Sequence, residues 1–339
     1  MSRQHTLGSR YRKVHSGLPA IAYSKNNVTR LELPNGLIQK RLIMRLTGNL
    51  VVATATATIF SEAPLGLIKK VELVGDGRRY LCSADGRDLW HLARRMHRKK
   101  LELAAPVGTA GTNAFSATMV LDADALNFAD GSESMLDTRI FKKLELVITW
   151  GSETDIATAG GGGTISVDNT TQLDVYEQQT SEGVHKILFD HVLASSERAV
   201  VATTSDLLVD DVPQSGLLAG ILIRTTRDAG AGAGPVPVDD IINNLSLVSD
   251  VSIKHVDKVK WRTLQSWEVA QFLIDGGNAT TGQDVGYAYL DLSESGMFSS
   301  ALNVNALNKL QLRADVTRTS GTEMIHVLYD FFEPRGDAA

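Results

Sequence analysis

Three pairs of aspartates come closest to a catalytic spacing in this sequence. The pairs are Asp122 with Asp124, Asp210 with Asp211, and Asp239 with Asp240. Two carboxylates about 5–10 Å apart can hydrolyse a glycosidic bond, and loop carboxylates can also bind Ca²⁺, here between subunits. All three pairs lie at predicted strand ends or in loops, where aspartate commonly forms turns. No EF-hand spacing accompanies them, so turn formation is the favoured interpretation.

The other candidates for chemistry are one cysteine, a glycine run and the histidines. Cys82 follows Arg78 and Arg79, which could lower a thiol pKa, but a small apolar strand residue is the favoured interpretation. Residues 160–163 are all glycine and lead into a predicted strand at 164–167, whereas a phosphate cradle needs a following helix. The sequence has no P-loop, His-Glu-x-x-His or Gly-x-Ser-x-Gly motif, and no His-x-His pair that would suit a cupin metal site. We therefore predict no catalytic residue, no metal site and no cofactor.

Two basic stretches could contact a polyanion. Residues 94–100 contain five Arg or Lys in the last turns of a predicted helix, where cations favour the helix dipole. That interpretation is preferred over contact with nucleic acid or anionic lipid. The second stretch precedes the first acidic residue, Glu32. We predict that it contacts a polyanion, either a membrane with anionic lipids or a nucleic-acid genome, through Arg3, Arg10, Arg12 and Lys13.

Composition limits the class of protein. The chain has 339 residues, enough for about two domains, and its net charge of −5 excludes a generally basic nucleic-acid coat. An aromatic share of 6% argues against a carbohydrate-binding cleft. A single cysteine cannot form an intrachain disulfide. The N-terminal residues lack a continuous apolar region, so we expect no signal peptide.

The elements that would position these residues are mostly short β-strands. Residues 42–46 and 51–56, for example, are predicted as two strands divided by Gly48 and Asn49. Two segments have apolar residues three and four apart and are predicted helices, at 88–99 and 261–274. This pattern predicts an all-β sandwich or barrel.

The chain also repeats itself. Residues 36–43 recur as 216–223, 67–74 as 241–248, 136–146 as 302–312, and 173–177 near 327–330. Each match alone is weak, because amphipathic strands resemble one another. Four matches in the same order favour two copies of one β-sandwich, each with one inserted helix. The alternative is that unrelated amphipathic strands are similar by chance. We predict that residues 37–43 and 217–223 are equivalent.

With a tandem β-repeat, one helix per repeat, glycine-rich loops and a basic N-terminus, the sequence resembles the double jelly-roll major capsid proteins of tailless, membrane-containing icosahedral viruses of the tectivirus and corticovirus type. The resemblance implies two tandem eight-stranded jelly-roll sandwiches and an obligate homotrimer with six upright barrels. It also implies contacts with neighbouring trimers and with penton and minor capsid proteins. The location would be the virion shell, after synthesis in the host cytoplasm.

The predicted organisation is a basic arm at 1–30, a first jelly roll at 31–185, a second at 186–334 and a tail at 335–339. The predicted function is structural, in a bacteriophage capsid, with no enzymatic step. Two alternatives stay open: another virion component such as a spike, penton or tail protein, and a two-domain β-sandwich enzyme or binding module acting on polysaccharide.

Overall fold

The computed structural model describes residues 13–335, except 127, 129–130, 181–186, 215, 229–233, 251–252, 273–283 and 294–295. Among the described residues, the first half contains fourteen strands and one α-helix. The strands are β1 (Lys13–Gly17), β2 (Ile21–Ala22), β3 (Val28–Leu33), β4 (Ile38–Ala53), β5 (Ala57–Ile59), β6 (Ile68–Gly75), β7 (Arg79–Ala84), β8 (Leu103–Ala104), β9 (Gly111–Asp122), β10 (Leu136–Asp137), β11 (Leu144–Trp150), β12 (Ala157–Ala159), β13 (Thr164–Val167) and β14 (Gln172–Thr180). The helix is α1 (Gly86–His97), between β7 and β8.

Eight of these strands form a jelly roll. One sheet has the order β1-β14-β4-β9, and the other has the order β7-β6-β11-β3. Strand β4 shows why the sheets face each other: Leu42, Met44 and Leu46 are buried, while Arg45 between them is exposed. This alternation places one face of the strand in a core shared by both sheets.

The second half repeats this topology, with ten strands and one α-helix in the part that the structure describes. The strands are β15 (Phe189–Val200), β16 (Thr204–Asp211), β17 (Leu217–Asp228), β18 (Pro235–Pro237), β19 (Ile242–Ser249), β20 (Ile253–Lys260), β21 (Tyr287–Asp291), β22 (Leu302–Asn303), β23 (Leu310–Val316) and β24 (Thr322–Pro334), and the helix is α2 (Trp261–Phe272). One sheet runs β15-β24-β17-β21 and the other β16-β23-β19-β20. Each principal strand and each helix therefore has an equivalent in the first half. The predicted fold, two tandem eight-stranded jelly rolls with an inserted helix each, is confirmed.

All four sequence repeats fall on equivalent strands, but one register differs. Strand β4 has a bulge that skips Lys40 in its pairing with β14, and β17 has a bulge that skips Ala219 in its pairing with β24. Aligning the bulges makes Arg45 equivalent to Arg224. The predicted match of residues 37–43 with 217–223 is thus wrong by one residue, which in a strand exchanges the two faces.

The two jelly rolls join edge to edge. Strand β7, at the edge of the first roll, pairs in parallel with β15 of the second, with Cys82 opposite Leu193 and Ser83 opposite Ala194. A sheet of one roll thereby continues into a sheet of the other.

The predicted arm at 1–30 overlaps strands of the first jelly roll. Strand β1 lies within it and β3 begins within it, and both pair with strands of that roll. Tyr23, between them, packs edge-on against Trp150 with ring centres 5.4 Å apart. These strands were missed because both are short and β3 is mostly exposed or half-buried, which leaves little apolar periodicity. The predicted boundary at residues 185 and 186 and nearly all of the tail lie outside the described residues.

Candidate functional site

Charged side chains are concentrated where the two jelly rolls meet. We call this set the charged seam. From the first jelly roll it contains Glu62, Asp88, His91, Arg94 and Arg95, and from the second Arg224, Glu268, Asp284 and Tyr287. Arg95 and Arg224 are among the most deeply buried large side chains of the chain.

Helix α1 positions the first-roll half of the seam. Asp85 caps the helix by accepting a hydrogen bond from the Arg87 amide, and Arg98 ends it in the left-handed conformation. Asp88, His91 and Arg95 are three and four residues apart and so share one face of the helix. The apolar side chains of α1 pack into the main core, which leaves the charged face for the second jelly roll.

A two-point ion pair lies at the centre of the seam. Arg224 Nε donates to Asp88 Oδ1 at 2.6 Å, and Arg224 Nη2 donates to Asp88 Oδ2 at 3.2 Å. Burial alone lowers the pKa of Arg224, but the carboxylates of Asp88 and Asp85 outweigh it and raise that pKa above its usual value. Arg224 is therefore charged although it is buried, and it depends on the carboxylate that faces it.

Asp284 is the second carboxylate that joins the rolls. It accepts hydrogen bonds from Arg94 Nη1 at 2.7 and 3.0 Å, and His91 Nδ1 lies 3.3 Å from its Oδ2. Burial alone raises the pKa of Asp284. The opposing effect of His91 and the two arginines of α1 is larger, so the pKa of Asp284 lies below its usual value. Arg95 forms a further buried ion pair with Glu268 of α2.

Glu62 completes the seam. Its carboxylate is 2.6 Å from His91 Nε2 and accepts a 2.7 Å hydrogen bond from the Tyr287 hydroxyl. The His91 and Tyr287 rings stack with centres 3.5 Å apart. Burial opposes ionisation, but His91 and Tyr287 more than compensate and lower the pKa of Glu62 to about 2. Every group in this array has a charged or hydrogen-bonding partner, so the array suits rigid positioning of the two rolls.

The interpretation of residues 94–100 therefore needs correction. Arg94 and Arg95 are buried against the second roll. They therefore do more than favour the helix dipole, and they are not available to contact a polyanion. His97 contacts Asp122 at 2.7 Å. Only residues 98–100 are exposed. The second-roll partners were not predicted from the sequence. One signal for them existed, because Arg224 is a charged residue at the end of the apolar run in strand β17.

The aspartate pairs are each engaged by other side chains. The contacts are Asp122 with Arg41, Asp124 with Lys40, Asp210 with Tyr329, Asp211 with Lys309, Asp239 with Arg262, and Asp240 with Arg227. Among the described residues no group of three or more His, Cys, Asp or Glu could hold a metal ion. No helix in the described part of the chain is long and apolar enough to span a membrane.

The remaining candidates have structural surroundings. Cys82 is fully buried, and burial raises the pKa of its thiol to about 12, so the thiol is protonated at neutral pH. The glycine run forms a turn in which Gly161 and Gly162 have positive φ, and β13 follows it. Arg3, Arg10 and Arg12 lie outside the described residues, and Lys13 is the first residue of β1. Their predicted contact with a polyanion stays a prediction.

One buried carboxyl stands apart from the seam. Glu177, on β14, is fully buried and neither carboxyl oxygen has a hydrogen-bond partner. Burial raises its pKa to about 7. Since an unfolded glutamate has a pKa of about 4.3, the unfolded chain loses this proton first as the pH rises.

We predict that Glu177→Gln stabilises the protein at pH 8 and leaves its stability unchanged at pH 4. The wild type should lose up to about 3 kcal/mol between about pH 4.5 and 7, where only the unfolded state releases the proton. Urea unfolding of both proteins across this range measures the difference. Glu32→Gln, at an exposed position, is the control and should change stability by less than about 0.5 kcal/mol. Equal stability of Glu177→Gln and wild type at pH 8 would contradict the prediction.

Comparisons with known proteins identify the fold. No family model and no curated protein matches the sequence, but solved structures match along nearly its whole length. The major capsid protein of Sulfolobus turreted icosahedral virus has a TM-score of 0.69 at 15% identity, covering 95% of this chain and 97% of that chain. The major capsid protein P2 of bacteriophage PM2 has a TM-score of 0.60 at 15% identity, covering 96% and 99%. The faustovirus major capsid protein has a TM-score of 0.59 at 10% identity, covering 98% and 92%. The chain thus has the double jelly-roll fold of these capsid proteins.

Proposed function

We propose that this protein is the major capsid protein of an icosahedral virus and that its working unit is a homotrimer. The observation that carries the proposal is that two jelly rolls of the same topology, held together by the charged seam, make up essentially the whole described chain. The three solved structures described above, which match the chain along nearly their whole length, are viral major capsid proteins. Three such chains present six similar barrels, which suits hexagonal tiling.

The mechanism is assembly without a chemical step. Burial at the faces between chains drives trimer formation, and contacts between trimers then tile the shell. Because many contacts act together, each lateral contact can remain weak. The protein would be made in the host cytoplasm and located in the virion shell, where penton and minor capsid proteins would be its other partners.

Light scattering and electron microscopy test the proposal. At micromolar concentration we expect a single species with three times the mass of the 36.6 kDa chain. Negative-stain images should show pseudo-hexagonal particles. Obligate interfaces commonly bury more than about 2,000 Å², so the trimer should persist on dilution. A stable bilobed monomer would contradict the proposal and favour a two-domain polysaccharide-binding protein.

We further propose that the residues before β1 bind an internal membrane or the genome. Residues 1–12 contain three arginines and no acidic residue, and each basic residue near an anionic membrane contributes about 1 kcal/mol. We predict that deleting residues 2–12 leaves the trimer intact and weakens its binding to anionic vesicles, most visibly at low salt. The matched variant replaces Arg3, Arg10, Arg12 and Lys13 by Gln. Vesicle co-sedimentation measures the effect, and unchanged binding of both variants would contradict it.

A further inference from the structure

The contact between the two jelly rolls joins two different strand edges. In the first roll β7 is an edge strand, paired on one side with β6, and β15 of the second roll occupies its other side in parallel. Within its own roll β15 pairs with β24 alone. The contact is therefore head-to-tail, with the last strand of one sheet against the first strand of the next roll's sheet.

Each of these two edge strands has an equivalent in the other jelly roll. Strand β20 holds in the second roll the place that β7 holds in the first, and β1 holds the place of β15. In the part of the chain that the structure describes, β20 pairs only with β19, and β1 pairs only with β14. The described residues therefore leave one free edge of each kind, β1 in the first roll and β20 in the second.

Burial distinguishes the occupied edge from the free one. On β7, Leu81, Cys82 and Ala84 are all buried. On β20 six of eight residues are exposed, including Ile253 at 55%. The helices after these strands differ in the same way, since α1 is buried along most of its length whereas α2 has Trp267 65% exposed.

We propose that β20 of one chain pairs in parallel with β1 of a second copy of this chain. This inference rests on the proposed trimer and names its interface. A head-to-tail contact repeats until it closes into a ring. Three contacts within chains and three between chains would alternate around a ring of six jelly rolls, and no edge of either kind would remain free.

The equivalences fix the register of the pairing. Leu193 and Ala194 are opposite Asp330 and Tyr329 of β24, in the positions that His15 and Ser16 have opposite β14. Cys82 corresponds to Val256, because each is opposite the matching leucine of the neighbouring strand. We therefore expect His15 of one chain to lie beside Val256 of the next.

The charge on β20 is compatible with this partner. Edge lysines resist indiscriminate strand addition, but two lysines of β20 are neutralised within the chain. Lys254 contacts Asp257 at 2.8 Å, and Lys258 contacts Asp315 at 3.3 Å. The exposed Trp267 on the adjoining helix supplies an apolar anchor of the kind that dominates protein interfaces.

A disulfide between chains tests the register. Neighbouring strands are about 4.8 Å apart, which allows a disulfide between facing cysteines. We expect the double variant His15→Cys/Val256→Cys to oxidise to covalent trimers on non-reducing gels. The control is His15→Cys/Ser205→Cys, in which the second cysteine lies on β16, at the opposite edge of the same sheet, and which should remain monomeric on the gel. Native Cys82 is fully buried and should not react.

Hydrogen exchange of the wild-type chain provides a second measurement that does not depend on the variants. Backbone amides of β20 that point away from β19 should exchange slowly in the trimer and quickly in monomers obtained by dilution or mild denaturant. A trimer with no crosslink at His15 and Val256 and with unprotected β20 amides would overturn the edge pairing and leave the proposed function standing. A protein that never forms trimers would overturn both.

Discussion

Asp88→Asn should lower the free energy of unfolding by about 3–5 kcal/mol. Asp88 is the two-point partner of Arg224, and both side chains are almost inaccessible to solvent. Asparagine leaves the guanidinium buried and charged, and Asp85, at 3.5 Å, is then its remaining ion-pair partner among the described residues. Urea unfolding at pH 7 measures the loss. Because the pair joins the two rolls, the variant should also form fewer trimers at a given concentration.

Two controls separate the buried charge from the loss of a contact. Replacing both partners, as Asp88→Leu with Arg224→Met, removes the unpaired charge and should restore stability to near or above the wild-type value. Asp211→Asn breaks an ion pair with Lys309 in which both side chains are about half exposed and should cost less than about 1 kcal/mol. A loss below about 1 kcal/mol for Asp88→Asn as well would show that the seam contributes little.

Much of the architecture could be predicted because apolar residues recur at matching positions in the strands of the two jelly rolls. The pattern located equivalent strands, such as β6 and β19, and both helices. It could not fix the register of β4 against β17, because the bulges at Lys40 and Ala219 depend on pairing with β14 and β24. It also divided β4 into two strands at Gly48, whereas the structure continues through this glycine. A Cβ there would lie 2.2 Å from Thr171 Oγ1, so the glycine serves close packing instead of a turn.

The charged seam could not be predicted, because its partners are far apart in the sequence. Arg94 and Asp284 are separated by 190 residues, and Asp88 and Arg224 by 136. Local reasoning assigned the arginines of α1 to the helix dipole, which is correct for an isolated helix. Packing the second roll against that face changes the outcome, since burial then requires a specific carboxylate for each guanidinium.

Deleting residues 2–17 should abolish the trimer, whereas deleting residues 2–12 should not. The longer deletion removes β1, which pairs with β14 over its whole length and supplies the edge that we assign to β20 of the next chain. We expect association at least about 100-fold weaker, equivalent to about 3 kcal/mol, so that light scattering at micromolar concentration finds monomers.

The two deletions differ by residues 13–17, which form β1. Both deleted chains lack the same arginines, so the comparison between them isolates the effect of the strand. Circular dichroism and thermal unfolding establish that the shorter chain is folded, since β14 keeps its pairing with β4. Ser16→Pro gives a milder version of the same change, because proline within β1 removes a backbone donor while the rest of the strand remains. Trimers that persist in the 2–17 deletion would place the contact between chains elsewhere. Monomers in the 2–12 deletion would mean that the basic residues, and not the strand edge, hold the subunits together.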